Sequence, residues 1–158
     1  MDENLFLADA MLGKLARWIR ICGFDTFYAD STMSDADILE KVEKTGRILI
    51  TRDRELSMRS SGSFLIRSDI SDDQLLEFFR RYSPQPSKFF TRCTVCNGKL
   101  DPVKPPYDDL AVPESVAERG LEVYVCRICH KIYWDGTHRK SIENKLRSLM
   151  EIIQNENH

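Results

Sequence analysis

Three aspartates carry the chemistry most readily read from this chain: Asp9 in Leu7-Ala8-Asp9-Ala10, Asp35 in Ser34-Asp35-Ala36-Asp37 and Asp53 in Thr51-Arg52-Asp53. A hard divalent cation such as Mg2+ or Mn2+ takes oxygen ligands and keeps several waters. It lowers the pKa of a bound water, polarises a phosphoryl oxygen and steadies a leaving oxygen. Acids of this kind, flanked by Lys14 and Arg17, suit phosphodiester hydrolysis. The cations would hold the phosphate and the carboxylates the metal. By residue type alone, a nuclease, a phosphatase and a phospho-receiver domain all stay open.

A second set is built from sulfur. Cys93-x-x-Cys96 and Cys126-x-x-Cys129 are separated by 29 residues. Each short loop delivers two thiolates to one side of a Zn2+ ion, and two loops close a tetrahedron. Four sulfurs leave no open coordination position, so the expected zinc is structural. Without a secretory signal the pattern favours metal over disulfides. A redox reading leaves one pair unexplained. Cys126-Arg127-Ile128-Cys129-His130 also fits c-type haem attachment, but that needs export and a second axial ligand. His130 is weighed as a substitute zinc ligand against a solvated histidine beside the knuckle. The fifth cysteine, Cys22, reads as an inert buried thiol.

The elements around the acids read as alternating strands and helices. Residues 4–8 form an apolar strand ending at Asp9, and residues 10–22 a helix with Leu12, Leu15, Ala16 and Ile19 on one face. Lys14, Arg17 and Arg20 make a basic stripe on the same helix. A second strand covers 24–29. A helix capped by Ser34 runs to about residue 45, and a third strand covers 47–51. After a short helix through Leu56, a fourth strand covers 64–66. Ser71-Asp72-Asp73-Gln74 reads as a capping box for the next helix. Such alternation means βαβ units and a mostly parallel sheet. Ligands then bind at the sheet's carboxyl edge, where Asp9, Asp35 and Asp53 all fall. Each acid also has a plainer reading: Asp9, Asp53 and Asp37 as helix caps, Asp35 as a partner of a helix dipole, Asp69 as a turn residue. Lys14, Arg17 and Arg20 have theirs as a solvated face.

Ser83-Pro84-Gln85-Pro86-Ser87 reads as a linker. The expected organisation is a main domain over 1–84, a small zinc ribbon over 88–136 and a C-terminal helix over 137–158. Ile142, Leu146, Leu149 and Ile153 give that last helix its apolar face. Lys88, Arg92, Lys99 and Lys104, interleaved with Phe89, Phe90, Tyr107, Tyr124, Tyr133 and Trp134, have the composition of a single-strand nucleic-acid surface. Packing of the ribbon on the main domain is the competing use, favoured for Tyr133 and Trp134. The formal net charge of −2 on 158 residues leaves no global basic field, so any nucleic-acid contact must be local. No apolar run approaches the ~18 residues of a membrane span, and no leader is recognisable. A cytoplasmic protein is expected.

Phe6-Leu7-Ala8-Asp9-Ala10-Met11-Leu12-Gly13-Lys14-Leu15-Ala16-Arg17-Trp18-Ile19-Arg20 closely resembles the opening motif of the Mut-seven C-terminal RNase domain family. These are PIN-like nuclease domains joined to a zinc ribbon. Ser34 to Leu39 and Gly46 to Leu56 resemble its second and third motifs. Cys93 to Gly98 and Cys126 to His138 resemble its ribbon. The resemblance implies a PIN-like three-layer α/β/α fold and a metal-dependent ribonuclease, with Asp9, Asp35 and Asp53 as the acids binding Mg2+ or Mn2+ and RNA as partner. PIN nucleases usually present a fourth acid, for which Asp37 and Asp69 are the candidates. The alternative is a non-catalytic RNA-binding or assembly module with a degenerate acid site.

Overall fold

The computed structural model describes residues 3–107 and 110–158. Four short strands, β1 (Leu5–Ala8), β2 (Asp25–Tyr28), β3 (Ile48–Thr51) and β4 (Phe64–Leu65), form one parallel sheet in the order β2-β1-β3-β4. Side chains alternate across a strand, and here both faces are covered. Phe6, Ala8 and Ile50 join the core cluster that contains Leu15, Ala16 and Ile19 of α1 (Gly13–Ile21) and Leu75, Phe78 and Phe79 of α4 (Ser71–Arg81). Leu7 and Leu49 face the other way, onto Ile38 of α2 (Asp35–Thr45) and Leu56 of α3 (Arg54–Met58). The fully buried apolar strand centres follow from that double cover.

This topology places a crevice. The helix after β1 goes to one face of the sheet and the helix after β3 to the other, while β1 and β3 are neighbours. Chain leaving two adjacent strands in opposite directions opens a cleft at their carboxyl ends. Asp9 and Asp53 stand on its two sides.

The first helix is not continuous from residue 10. Ala10–Leu12 is a 3-10 turn, and the α-helix begins at Gly13. The Tyr28 hydroxyl donates to the Ala10 carbonyl at 2.8 Å, and a Cβ on Gly13 would stand 3.0 Å from that hydroxyl. The expected capping box at Ser71 is also absent. Ser71 is already helical, and Ile70 occupies the cap position without a side-chain bond. The preceding turn is held instead by Glu77, whose carboxylate accepts from the Arg67 and Ser68 N–H groups at 2.9 and 2.8 Å.

A second, antiparallel sheet of β5 (Leu100–Val103), β6 (Val123–Cys126) and β7 (Ile132–Trp134) follows. Between β5 and β6 lies a short helix, α5 (Glu114–Glu118), where the sequence showed few helical signals. The chain immediately after the stretch read as a linker is docked on the end of α1. The Phe90 N–H donates to Ile21 O at 2.8 Å, and a Cβ on Gly23 (φ +95°) would come within 2.4 Å of the Lys88 carbonyl oxygen. The final helix, α6 (Thr137–Glu156), returns to the first core through Leu146 and Leu149. No helix among the described residues is long and apolar enough to cross a membrane.

Arg20 is corrected by the structure. It leaves the solvated stripe and is buried. Its Nε donates to Thr26 O at 2.8 Å, and its Nη1 donates to Thr94 O at 3.0 Å and Val95 O at 3.3 Å. One guanidinium thus ties β2 to the backbone of the first cysteine loop. Asn97 adds a second tie, accepting from the Thr26 N–H at 2.9 Å and donating to Asp25 at 2.7 Å. Hydrogen bonds from a charged donor contribute about 1.5–3 kcal/mol each, and orphaned carbonyls cost more. Arg20→Met, which removes three such bonds, is therefore expected to lower stability by roughly 4–5 kcal/mol, read from urea unfolding. Arg20→Lys should recover little, because a point charge cannot span the guanidinium's fork. An unchanged midpoint would mean the cysteine loop docks without Arg20.

Candidate active site and metal centre

Asp9 follows β1 directly and is 6% exposed. Its N–H still donates to Ile50 O at 3.2 Å, so the residue sits at the β1–β3 seam. Its Oδ1 accepts from the Met11 N–H at 3.2 Å, and its Oδ2 accepts from the Thr51 hydroxyl. Thr51, fully buried at the end of β3, also accepts the Asp53 N–H on its Oγ1 at 3.0 Å. A single hydroxyl therefore links the two acids across the seam. Burial raises the Asp9 pKa above the usual 3.8; the hydrogen bonds from Thr51 and Met11 oppose this, and the charges of Asp53 and Asp35 add to it.

Asp53 is exposed and caps α3, accepting from the Leu56 N–H at 3.1 Å. Asp35 is exposed at the first position of α2. Asp37 completes a capping box with Ser34, whose Oγ accepts the Asp37 N–H at 3.1 Å while Asp37 accepts the Ser34 N–H at 3.4 Å. Asp69 is exposed in the turn before α4. The capping readings of Asp9, Asp37 and Asp53 are thus realised in the backbone bonds. For Asp9 and Asp53 they coexist with a place on the cleft. Lys14 and Arg17 are exposed one turn apart on α1.

Among the described residues, the group of metal-binding donors drawn within ligating distance is the four cysteines, whose Sγ atoms all lie within 4.8 Å of one another. Cys93 and Cys129 approach to 3.6 Å, Cys96 and Cys126 to 3.4 Å. The three acids are not drawn together in this way. The sulfur site is shaped for a metal such as zinc. Burial raises the Cys93 pKa, but hydrogen bonds from the Tyr133 hydroxyl and the Cys96 and Val95 N–H groups outweigh it and bring the thiol down to about 7. A Cβ on Gly98 would lie 2.7 Å from the Cys126 Sγ, so only glycine leaves the thiolate room. His130, with φ +64°, turns the backbone after the second cysteine loop, as Asn97 with φ +72° does after the first. Cys22 is buried, and burial pushes its thiol far up.

A parallel sheet with acids at a cleft and a four-cysteine cluster narrows the comparison with known proteins. The Mut7-C RNAse domain family matches residues 4–146. The chain belongs to this family. No curated protein and no solved structure matches it. The match spans both halves of the Mut7-C RNAse domain chain, the parallel sheet with its acids and the antiparallel sheet with its cysteines.

A second, cationic group follows β3 and β4 of this Mut7-C RNAse domain. Arg52, Arg54 and Arg67 line a hollow of about 280 Å3 with Leu65 and Ile66. Arg52 and Arg54 flank Asp53 in sequence, and Arg67 follows β4. Among the described residues none of the three is in an ion pair, and the Arg52 Nε is buried without a hydrogen-bond partner. In strand order, the chain leaving the sheet's carboxyl ends carries Asp35 after β2, Asp9 after β1, Asp53 after β3 and Arg67 after β4. Two arginines beside a candidate acid were a signal available in Arg52-Asp53-Arg54. Arg67 was not, because only the β3–β4 pairing brings it alongside.

Proposed function

We propose that this chain is a metal-dependent ribonuclease with a PIN-like fold, hydrolysing phosphodiester bonds at the carboxyl edge of the parallel sheet. The observation that carries the reading is Asp9 and Asp53 on opposite sides of the β1–β3 cleft, joined through one Thr51 hydroxyl, in a chain of the Mut7-C RNAse domain family.

Asp9, Asp35 and Asp53 would hold Mg2+ or Mn2+, a fit supported by an all-carboxylate donor set. When bound, such an ion supplies activation of water and polarisation of a phosphoryl oxygen. The protein's own groups do the positioning. Thr51 fixes the orientation of Asp9 and the backbone of Asp53 together. Lys14 and Arg17 on α1 bind phosphate on one flank of the acids, and Arg52, Arg54 and Arg67 bind it on the other. Guanidinium groups suit this task through paired N–H donors. The cysteines hold a structural zinc that keeps the ribbon folded on the main domain.

The second reading, a non-catalytic RNA-binding or assembly module, draws on one observation: the acids are not drawn within ligating distance, and Asp9 and Asp53 serve as caps. End-labelled single-stranded RNA incubated with the zinc-loaded protein separates the two. Cleavage that depends on added Mn2+ or Mg2+ supports the enzyme; RNA bound but intact supports the module. Each charge-assisted contact is worth about 1.5 kcal/mol. Arg52→Ala with Arg67→Ala, which removes two such contacts, is therefore expected to raise KM on the order of a hundredfold with a smaller change in kcat. A change confined to kcat would contradict a phosphate-binding role.

A further inference from the structure

A hollow of about 380 Å3 lies away from the acid edge. It lies where α1, the antiparallel sheet and the start of α6 meet. Its volume is that of a small-ligand site. Its wall carries the cations Arg17, Arg92, Arg119, Lys131 and Arg139, of which Arg92 is paired with Asp25 at 3.5 Å, and no carboxylate of the described residues lines it. In a chain with net charge −2, that segregation of sign is local. Arg17, Arg119 and Lys131 are in no ion pair among the described residues, and the one partner of Arg139 is Asp135 at 4.0 Å.

The remaining walls are aromatic and held in place. The Arg139 guanidinium lies 4.4 Å from the Phe90 ring centroid and 5.0 Å from that of Tyr124. The Tyr133 ring is fixed through its hydroxyl, which approaches the Cys93 sulfur at 3.1 Å and accepts the Thr94 N–H at 3.2 Å. Trp134, 41% exposed, completes the wall. The 20-residue α6 begins here, with Gly136 at its cap and no side chain accepting from its first turn. Such a terminus favours an anion, and Gly136, Thr137 and His138 line the hollow. Cations for a phosphate and fixed rings for a base are the two halves of single-strand recognition.

We propose that this hollow holds one nucleotide of a single-stranded RNA, its phosphate among Arg119, Lys131, Arg139 and the start of α6, and its base against the Tyr133–Trp134 wall. Arg17 links the hollow to the acid edge. It lies four residues into α1, about 6 Å along the axis from Gly13, with Lys14 between, and the 3-10 turn Ala10–Leu12 joins Gly13 to Asp9. One strand can therefore occupy the hollow and present a phosphate further along to the acids. That the occupant is an RNA strand rests on the ribonuclease reading above; that it is a nucleotide rests on the hollow.

The test is fluorescence anisotropy with the zinc-loaded full chain and a labelled oligouridylate, without added Mg2+ or Mn2+. The double variant Arg119→Glu with Lys131→Glu is compared with its milder form, Arg119→Gln with Lys131→Gln. Equal zinc content and circular dichroism control for folding. The expected result is an affinity loss of at least about tenfold, and a salt dependence of log K shallower by roughly 1.4 for two lost phosphate contacts. Unchanged affinity and slope in both variants would overturn the proposal. So would uridine monophosphate binding as tightly as the oligomer, which would make the occupant a free nucleotide. Variant-sensitive binding without Mn2+-dependent cleavage leaves the hollow standing and removes only the catalytic reading. Cleavage with variant-insensitive binding does the reverse.

Discussion

Asp9→Asn and Asp53→Asn are each expected to reduce Mn2+-dependent RNA cleavage by about 10³-fold, a loss of about 4 kcal/mol of transition-state stabilisation. Both substitutions preserve shape and remove one negative charge from the set that would hold the cation. The loss should appear in kcat rather than as a failure to bind RNA, because the phosphate-binding cations remain in place. For Asp9 two effects oppose: the amide keeps one acceptor oxygen for the bonds from Met11 and Thr51, while losing the charge relieves a buried ionisation. Its pKa is raised first by burial and then by the charges of Asp53 and Asp35, against the hydrogen bonds from Thr51 and Met11. A carboxyl with a raised folded pKa binds its proton more tightly in the folded chain. Its ionisation therefore costs stability, not at all below 3.8 and in full above the raised value. Asp9→Asn should thus melt no lower than the parent at neutral pH without added divalent cation, with any gain shrinking as the pH falls toward 3.8. A variant that cleaves normally, or one that loses activity only by unfolding, contradicts the assignment.

Loss of the sulfur-held metal is expected to have the largest effect on stability. Structural zinc in small modules contributes roughly 10–16 kcal/mol of apparent binding free energy at neutral pH, and a small antiparallel sheet has little core of its own. Cys93→Ser or Cys126→Ser should lower the zinc content from one per chain to near zero. Proteolysis should then cut within β6 and β7 faster than in the parent. The damage should reach the parallel sheet, because the first cysteine loop is bonded to β2 through Arg20 and Asn97. Lower melting temperature of the whole chain, not of the ribbon alone, is the signature. Metal analysis finding no zinc in the native protein would remove the claim outright.

What could be read without coordinates follows from local physics. The apolar runs 4–8 and 47–51 and the helical spacing after Asp9 are signals carried within a few residues, and they place three acids at one edge. The Cys-x-x-Cys pairs are likewise local, and the geometry of four thiolates within 4.8 Å of one another follows from their spacing. What could not be read depends on distant chain. Arg20 looks like its neighbours Lys14 and Arg17, yet its partners Thr94 and Val95 are 74 and 75 residues away. Ser71 has the composition of a cap, but Glu77 secures the turn ahead of it. Thr51 sits inside the motif already singled out, and its role as the link between Asp9 and Asp53 appears only once β1 and β3 pair. The cation–aromatic hollow joins α1, two stretches of the ribbon and α6, so no single segment announces it.

The most direct measurement is a crystal structure of the zinc-loaded protein soaked in Mn2+, with anomalous scattering to place the ion. The account predicts one manganese at the β1–β3 cleft, touched by carboxylate oxygens of Asp9, Asp35 and Asp53. Manganese bound elsewhere, or a cleft that stays empty at saturating Mn2+, contradicts it.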